Sequence, residues 1–192
     1  MTDRYHHGDL RRALVEAAVE AIGESGPSAL SLRAVAKRAG VSHAAPAHHF
    51  GDKAGLLTAI AAEGFDRFAD ALERAWDTTG DFLQVGAAYV RFAIDNQAYF
   101  ETMFRPELLH KSDPDLERAE ARSRAALVRG AGEPEPGPDG KPPDYNPTAL
   151  GAWSLVHGFA SLHMTGNFPQ AVTDDPEAAL KDIAKHMRFI QG

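Results

Sequence analysis

The sequence predicts an all-α protein with two domains: an N-terminal three-helix helix-turn-helix domain, which a long helix joins to a larger helical domain. Apolar residues recur at the three-to-four-residue spacing of a helix in successive segments of the 192-residue chain. Glycine and proline stand between these segments, where helices begin and end. Hydrophobic residues make up 44% of the sequence, which is ample for a core.

The first helix is predicted over residues 8–25, because Leu10 and Leu14 begin an apolar face that continues at helical spacing. Gly26 and Pro27 then end the helix. The remaining apolar residues of this face are Ala18, Ala21 and Ile22. The face would cover the two shorter helices that follow.

Residues 31–53 predict a helix, a tight turn and a second helix. Ser31 is placed to cap the first of these through its side-chain oxygen. Gly40 can adopt a positive φ without a Cβ clash, Val41 can fill the angle between the helices, and Ser42 can cap the second helix. The inner face of the first helix carries Val35, Ala36 and Ala39.

The second helix is predicted over residues 43–49, and in a helix-turn-helix this element enters the DNA major groove. Pro46 falls in its first turn, where a missing N–H costs little. Three alanines make the helix thin, so it can approach the groove wall closely. His43 and His48 are its longest polar side chains and are therefore the expected base contacts.

Two sets of cations flank this motif. Lys53 lies at the N-terminal end of the next helix, against the dipole preference, which a neighbouring phosphate would explain. The alternative is a solvated surface lysine. Arg4, His6 and His7 precede the first helix as a candidate arm onto the phosphates, or as a mobile terminus.

Six further helices are predicted, over residues 52–77, 81–94, 96–104, 114–129, 148–166 and 176–190. The first would start at the DNA and end beside the second domain, so it could transmit motion. Asp52 favours its start, because an acid suits the positive end of a helix dipole. Pro106 follows the third of these helices, and Ser112 or Asp113 can cap the helix that begins at Pro114.

Residues 148–166 are apolar on most sides, which predicts one face inside the domain and the other against a second subunit. The last helix begins at Pro176 with a continuous apolar seam. This helix and the helix at residues 148–166, contributed by each of two subunits, would form a four-helix bundle. Residues 130–147 hold six prolines and four glycines, which predicts a mobile connecting loop.

The net charge of −7 is unevenly distributed. Residues 1–53 carry seven Lys and Arg against six acids, a balance of +1, whereas residues 54–192 carry 13 basic and 21 acidic residues, a balance of −8. DNA would repel the acidic residues 54–192, which would help to keep surfaces other than the helix-turn-helix away from it. The alternative is that these charges serve only solubility.

The N-terminal motifs together resemble the DNA-binding domain of TetR/AcrR-type repressors, over residues 6–68. The residues that carry the resemblance are Leu32, Val35, Ala36, Ala39, Gly40, Val41, Ser42, His49, Phe50, Asp52, Lys53, Leu56 and Leu57, with residues 7–11 before them. Ala47 stands where such proteins usually carry an aromatic residue that touches phosphate. The resemblance therefore does not extend to that backbone contact.

Trp153, His157 and Gly158 resemble the tryptophan-histidine-glycine signature of the C-terminal domain in one branch of the same family. The two resemblances imply a DNA-binding domain at residues 1–53 and a ligand-binding and dimerisation domain at residues 54–192. The expected DNA contacts are Arg33, Ser42, His43, Ala44, Ala45, Ala47, His48, His49 and Lys53.

A ligand pocket is predicted where polar tips enter an apolar helical body, as small-molecule sites require. Its expected residues are Phe82, Tyr89, Phe92, Phe100, Met103, Phe104, Trp153 and His157. The alternative is that the aromatic residues are ordinary core and that His157 is a satisfied buried histidine.

Metal, cofactor and catalytic sites are not predicted. His43, His48 and His49 are close in sequence, but a helix points neighbouring side chains about 100° apart, and no carboxylate or cysteine completes a tetrahedral set. The sequence has no phosphate loop, GxSxG, HExxH or dinucleotide fingerprint. It also lacks cysteine, a signal-peptide pattern and an apolar run of about 18 residues, so we expect a cytoplasmic protein.

We therefore expect a dimeric, ligand-responsive transcriptional regulator, acting as a repressor on a near-palindromic DNA operator. Its expected partners are double-stranded DNA, an unknown small-molecule effector and a second copy of the chain. The alternative is a helical small-molecule-binding or interaction protein without operator binding. The acidic net charge and Ala47 favour that alternative, whereas the intact helix-turn-helix opposes it.

Overall fold

The fold is all-α, as the sequence predicts. The structure is a computed structural model that describes residues 3–134, 136 and 143–187, with side chains from Leu10 onwards. Within these residues there are no strands. The helices are α1 Asp3–Ser25, α2 Leu32–Arg38, α3 Ala45–Phe50, α4 Lys53–Thr79, α5 Phe82–Asp95, α6 Gln97–Met103, α7 Pro114–Arg129, α8 Pro147–Met164, α9 Gln170–Asp174 and α10 Pro176–His186, with short 3-10 helices at Pro27–Ala29 and Pro106–Leu108.

The chain divides into two compact units. The first unit comprises Met1–Asp66 and Asn96–Glu120, and the second comprises Arg67–Asp95 and Ala121–Gly192. Helices α4 and α7 therefore each contribute turns to both units. The functional division into residues 1–53 and 54–192 remains a prediction.

In the first unit, α1 packs against α2 and α6, and α2 packs against α3. Leu14 and Val35 are fully buried in this core. Helices α4 and α6 approach closely at Gly64, because a Cβ there would lie 2.8 Å from the sulfur of Met103. The three helices of the helix-turn-helix domain are thus held on a closely packed base.

In the second unit, α5 is the central element and packs against α8 and α10. Its residues Val85, Tyr89 and Val90 are fully buried. Gly86 lies where these helices meet, because a Cβ there would be in ordinary van der Waals contact with Val156 on α8 at 3.4 Å and with Leu180 on α10 at 3.9 Å. The apolar face of α5 therefore organises the core of this unit.

Arginines of α7 form ion pairs with acids of α4 inside each unit. In the first unit Arg118 makes two hydrogen bonds of 2.8 and 2.9 Å to the carboxylate of Asp66. In the second unit Arg122 donates to Asp70 and to Glu73, both at 2.6 Å. The charged face predicted for α7 thus contacts α4 as well as solvent.

Side-chain caps define several helix ends. Asp113, rather than Ser112, caps α7 by accepting from the N–H of Leu116 at 3.0 Å. Asn146 caps α8 in the same way from Ala149, so α8 begins at residue 147, one position before the predicted start. Ser31 stands at the N-cap of α2 but makes no side-chain hydrogen bond, contrary to the prediction; the start of α2 depends on its backbone carbonyl.

One predicted helix begins at a different residue in the structure, and one helix was not predicted. Helix α1 begins at Asp3, so the backbone of residues 4, 6 and 7 is helical and is not an arm before the helix. The glycine at position 8 does not stop α1, because an interior glycine costs a helix only about 1 kcal/mol. Helix α9 was not predicted from the sequence.

The prediction for residues 130–147 falls partly, at 135 and 137–142, outside the described residues, as does the predicted end of the last helix after residue 187.

Candidate functional site

The turn between α2 and α3 begins with the positive φ that the sequence predicts. Gly40 has a φ of 67°, in the left-handed region that favours glycine. The N–H of Val41 donates to the carbonyl of Ala36 at 3.0 Å, which closes the end of α2. Val41 itself is half-buried between the two helices. The local sequence therefore ends α2 and leads the chain into α3 within a few residues.

Helix α3 begins two residues later than predicted. Its first residue is Ala45, its N-cap is Ala44, and the carbonyl of Ser42 accepts from the N–H of Ala45 at 3.0 Å in the preceding turn. Pro46 explains the shift, because in this frame it is the second helical residue, whose N–H has no partner inside a helix. His43 consequently lies in the turn before α3, and Ser42 is not the cap.

Most of the predicted DNA contacts lie on the exposed side of this motif. Pro46 instead is buried and anchors α3 to the unit, a role that the sequence did not suggest. Ala45, His49 and Lys53 are half-buried. The exposed members of the predicted set are Arg33, Ser42, His43, Ala44, Ala47 and His48.

The first turn of α4 is fixed to its neighbours by side-chain contacts. Nζ of Lys53 donates to the carbonyl of Ser28 at 2.6 Å, and an ammonium carries two further N–H groups. Asp52 accepts from the N–H of Gly55 at 2.8 Å and lies 3.0 Å from Nε2 of His110. The Gly55 hydrogen bond and then His110 hold the pKa of the Asp52 carboxyl below its usual range.

Two arginines near the motif, Arg38 and Arg11, make contacts within the first unit. Arg38 on α2 pairs with Glu24 of α1 at 2.5 Å and with Glu20 at 3.6 Å. The guanidinium of Arg11 lies 5.2 Å from the ring centroid of Phe50. These contacts join α1 to α2 and to the end of α3, so both arginines contribute to the packing of the motif. The sequence alone did not reveal these pairings.

A polar cluster lies within the second unit, between α5 and α8. Nε1 of Trp153 donates to the hydroxyl oxygen of Tyr89 at 3.2 Å, and that hydroxyl lies 2.9 Å from Nδ1 of His157. Because a phenol has one proton to donate, these contacts suit a neutral His157 whose Nδ1 accepts. Burial raises the pKa of Tyr89 and lowers the pKa of His157, so both groups favour their neutral forms.

The predicted ligand-site residues are distributed over both units, and their assignment to one site remains a prediction. Phe100, Met103 and Phe104 belong to the first unit, where the rings of Phe100 and Phe104 are 4.9 Å apart. In the second unit Phe92 packs against Phe68 at 5.2 Å, and Phe82 lines a separate cavity. The three residues that the structure joins by hydrogen bonds are Tyr89, Trp153 and His157.

An apolar cavity of about 170 Å³ lies among α5, α7, α8 and α10 of the second unit. Its walls consist of aliphatic and aromatic side chains with one glycine, Gly86. The largest lining side chains are Phe82, Leu83, Leu127, Leu155, Val156 and Leu180. Sequence reasoning did not find this cavity, because its residues look like ordinary core positions on four different helices.

Helix α8 presents large apolar side chains to solvent. Leu150 is 45% exposed, Trp153 39% and Leu162 46%, whereas Val156 and Phe159 of the same helix are buried. Exposed apolar residues concentrated on one helix are typical of an association surface. The sequence predicts a second subunit against one face of α8, and that contact remains a prediction.

Metal sites and membrane spans are both absent from the part of the chain that the structure describes. Its His, Asp and Glu side chains form no group of three or more that could hold a metal ion. None of the described helices has the length and hydrophobicity needed to cross a bilayer.

Two family models match the chain. Residues 14–60 match the N-terminal model described as bacterial regulatory proteins, tetR family. Residues 82–187, more than half of the chain, match a model described as tetracyclin repressor-like, C-terminal domain. A comparison with curated proteins found none that matches this chain.

Solved structures share the fold. A protein of unknown function from Rhodococcus sp. RHA1 is 33% identical, with a TM-score of 0.73 over 94% of this chain and 96% of its own. A TetR family transcription regulator from Marinobacter aquaeolei VT8 is 21% identical, with a TM-score of 0.63 over 93% and 95%. The regulator LfrR from Mycobacterium smegmatis, in complex with proflavine, is 20% identical, with a TM-score of 0.62 over 90% and 95%.

Proposed function

Because the chain belongs to the tetR family of bacterial regulatory proteins, and is a transcriptional regulator, we propose that it represses transcription from a near-palindromic operator as a ligand-responsive homodimer. The observation that carries this proposal is the exposed surface of the turn and α3. His43, Ala44, Ala47 and His48 all face solvent there. A thin helix with exposed polar side chains suits the major groove.

Lys53 supplies the backbone contact in this proposal. Its bond to the Ser28 carbonyl holds the ammonium at the N-terminus of α4, where backbone N–H groups also favour an anion. A phosphate there would fix the register of the protein on DNA without reading sequence. Arg33, exposed on α2, is the second candidate for a phosphate contact.

The second subunit would cover α8. Burying Leu150, Trp153 and Leu162 removes apolar surface from water, which is the main driving force of association. A two-fold dimer repeats the same patch on both chains, so two copies of α8 and α10 would form a four-helix interface. Residues 1–53 would then serve DNA binding, and residues 54–192 ligand binding and dimerisation.

The effector site is proposed around the cluster of Tyr89, Trp153 and His157. The effector would be a small, largely apolar molecule with one or two polar groups that compete for these hydrogen bonds. The proflavine complex of LfrR supports the idea that this fold admits aromatic molecules. The shared hydrogen bonds also support assignment to the tryptophan-histidine-glycine branch of the family.

A second candidate function is a helical ligand-binding or interaction protein that does not bind an operator. The net charge of −7 and the missing aromatic side chain at Ala47 favour it. We propose that the protein is cytoplasmic under either function. Both candidates require no catalytic residues, which suits a family of regulators.

Genomic footprinting of the purified full-length protein distinguishes the two functions. Protection of discrete near-palindromes, with half-sites about 34–36 Å apart or a multiple of that distance, supports operator binding. Fluorescence anisotropy at several salt concentrations on a recovered site then gives the affinity. Binding no tighter than to random DNA of the same length would leave the ligand-binding or interaction protein as the better description.

A further inference from the structure

The apolar cavity of the second unit has a preformed shape. Phe82 forms one wall, and its ring is packed so closely that a Cβ on Gly130 would lie 2.6 Å from it and 2.7 Å from the ring of Trp76. Of the other lining residues, Val156 and Leu180 are buried, whereas Leu155 is only half-buried. The cavity is therefore lined by closely packed side chains and is not fully enclosed.

The chemistry of the lining disfavours polar groups inside the cavity. Every lining residue is aliphatic or aromatic apart from Gly86. An ordered water needs two to four polar partners, and a buried carboxylate or ammonium without a partner is strongly disfavoured. An uncharged apolar molecule meets no such penalty and gains dispersion contacts that an empty cavity lacks.

We propose that this cavity is a binding site for a compact, uncharged hydrocarbon group the size of one ring. Its volume of about 170 Å³ matches that class, since apolar cavities of roughly 150 Å³ stay dry and bind benzene. The site differs from the Tyr89 cluster in chemistry, because it offers shape and no hydrogen bonds. Phe82 is the one predicted pocket residue that lines it.

A ligand in this cavity would affect regulation by changing the packing of α8. This step rests on the proposed function. Helix α8 contributes Ala152 and Val156 to the lining and carries the exposed apolar face at Leu150 and Leu162. A ligand that fills the space between α5, α8 and α10 favours one packing of α8 over another. By linkage, a ligand that prefers one packing of α8 changes the affinity of whatever binds that face.

The test is isothermal titration calorimetry of the full-length protein with benzene, phenol and benzoate. We expect saturable binding of one benzene per chain with a dissociation constant of about 0.1–1 mM, ordinary for six non-hydrogen atoms. Phenol should bind more weakly and benzoate should show no saturation. Equal binding of benzene and benzoate, or no saturation with benzene, overturns the proposal.

Substitutions at Gly86 locate the site. Gly86→Leu fills the cavity and should weaken benzene binding at least tenfold, whereas Gly86→Ala intrudes by one methyl group and should weaken it several-fold with the fold intact. The matched control is Gly23→Ala on α1, where an added Cβ meets no atom within 4 Å. Unchanged benzene affinity in a folded Gly86→Ala protein would contradict the assignment to this cavity.

Operator anisotropy with and without saturating benzene separates this site from the proposed function. Benzene binding with the expected variant pattern supports the site, whatever happens to the operator affinity. If benzene does not bind while another small molecule releases the operator, the cavity proposal fails and the ligand-responsive repressor stands. If benzene binds and the protein recognises no operator, the site stands and the proposed function fails.

Discussion

Lys53 at the start of α4 donates a hydrogen bond to the carbonyl oxygen of Ser28, in the 3-10 turn that follows α1, at 2.6 Å. The side chain that the sequence assigns to a phosphate is therefore oriented by the protein before DNA arrives. An oriented cation loses less side-chain entropy on binding than a solvated one.

Lys53→Ala is expected to weaken binding to specific and random DNA alike, because a phosphate contact carries no sequence information. The slope of log affinity against log salt should become shallower by about 1. Anisotropy titrations at four salt concentrations give both quantities. Lys185→Ala, which removes an exposed lysine of α10, is the control and should leave the slope unchanged. A change in sequence preference with the slope intact would show that Lys53 has a different role.

His48→Ala is expected to change which bases are preferred at one position of each half-site, since His48 is exposed on α3. His43→Ala should act at a neighbouring position, because His43 lies in the turn before the helix. Loss of one base contact costs about 1–3 kcal/mol at that position. Selection from a random-sequence library reads the preference directly. Identical preferred sites for both variants and the unmodified protein would count against α3 as the reading element.

Leu162→Glu is expected to convert the dimer to monomers, because it places a charge in the apolar face that the second subunit would cover. Monomers should lose tight binding to the palindrome, since they contact one half-site. Sedimentation velocity at micromolar concentration measures the assembly state. Ala125→Glu, at an exposed position of α7, is the control and should remain dimeric. An unmodified protein that sediments as a monomer would refute the dimer itself.

Tyr89→Phe is expected to reduce the effector response while ligand-free operator binding stays nearly intact. The substitution leaves Trp153 Nε1 and His157 Nδ1 without their shared partner, so the free energy of unfolding should fall by about 1–3 kcal/mol. Urea denaturation and operator titration with effector measure the two effects. Tyr145→Phe, at a side chain that is 61% exposed, is the control for both. If Tyr89→Phe abolishes operator binding without any ligand, the cluster is structural core alone.

Acidification is expected to destabilise the second unit through His157. Burial lowers the pKa of His157 in the folded protein below its unfolded value, near 6.5, so the unfolded state binds the proton more readily. Its contribution to stability is fully present above the unfolded pKa and is lost as the pH falls through the folded pKa. Urea denaturation at pH 7.5 and pH 5.5 measures the change. His157→Gln should lose less stability over this interval than the unmodified protein; an equal loss would assign the effect to other groups.

The elements that the sequence predicts well are those set by local chemistry. Gly40 has the predicted positive φ, and α7 runs from Pro114 to Arg129 as its proline and apolar spacing predict. The start of α3 was misplaced because Ser42 and Ala44 are both possible boundaries; the missing N–H of Pro46 suits the later start, where proline is the second helical residue. The burial of Pro46 is a tertiary contact, which no local pattern encodes.

The site depends on contacts between distant segments, and these were only partly predictable. Aromatic and polar residue types pointed to Tyr89 and His157, which are 68 positions apart and share a hydrogen bond. The same reasoning also named Phe100, which belongs to the other unit and whose place in a ligand site remains a prediction; composition carries no information on which helices meet. The cavity at Gly86 was missed for the same reason: an empty space results from the packing of several helices.

Pro46 also affects the thermodynamics of recognition. A helix of six residues is marginal on its own, because the nucleation of a helix is unfavourable and few hydrogen bonds repay it. A buried proline in the first turn fixes one φ angle in advance and attaches the helix to the core. The helix that we propose as the recognition element is therefore folded in the free protein, and operator association would involve rigid docking rather than folding on contact. Its heat-capacity change should accordingly follow from the surface buried between protein and DNA alone.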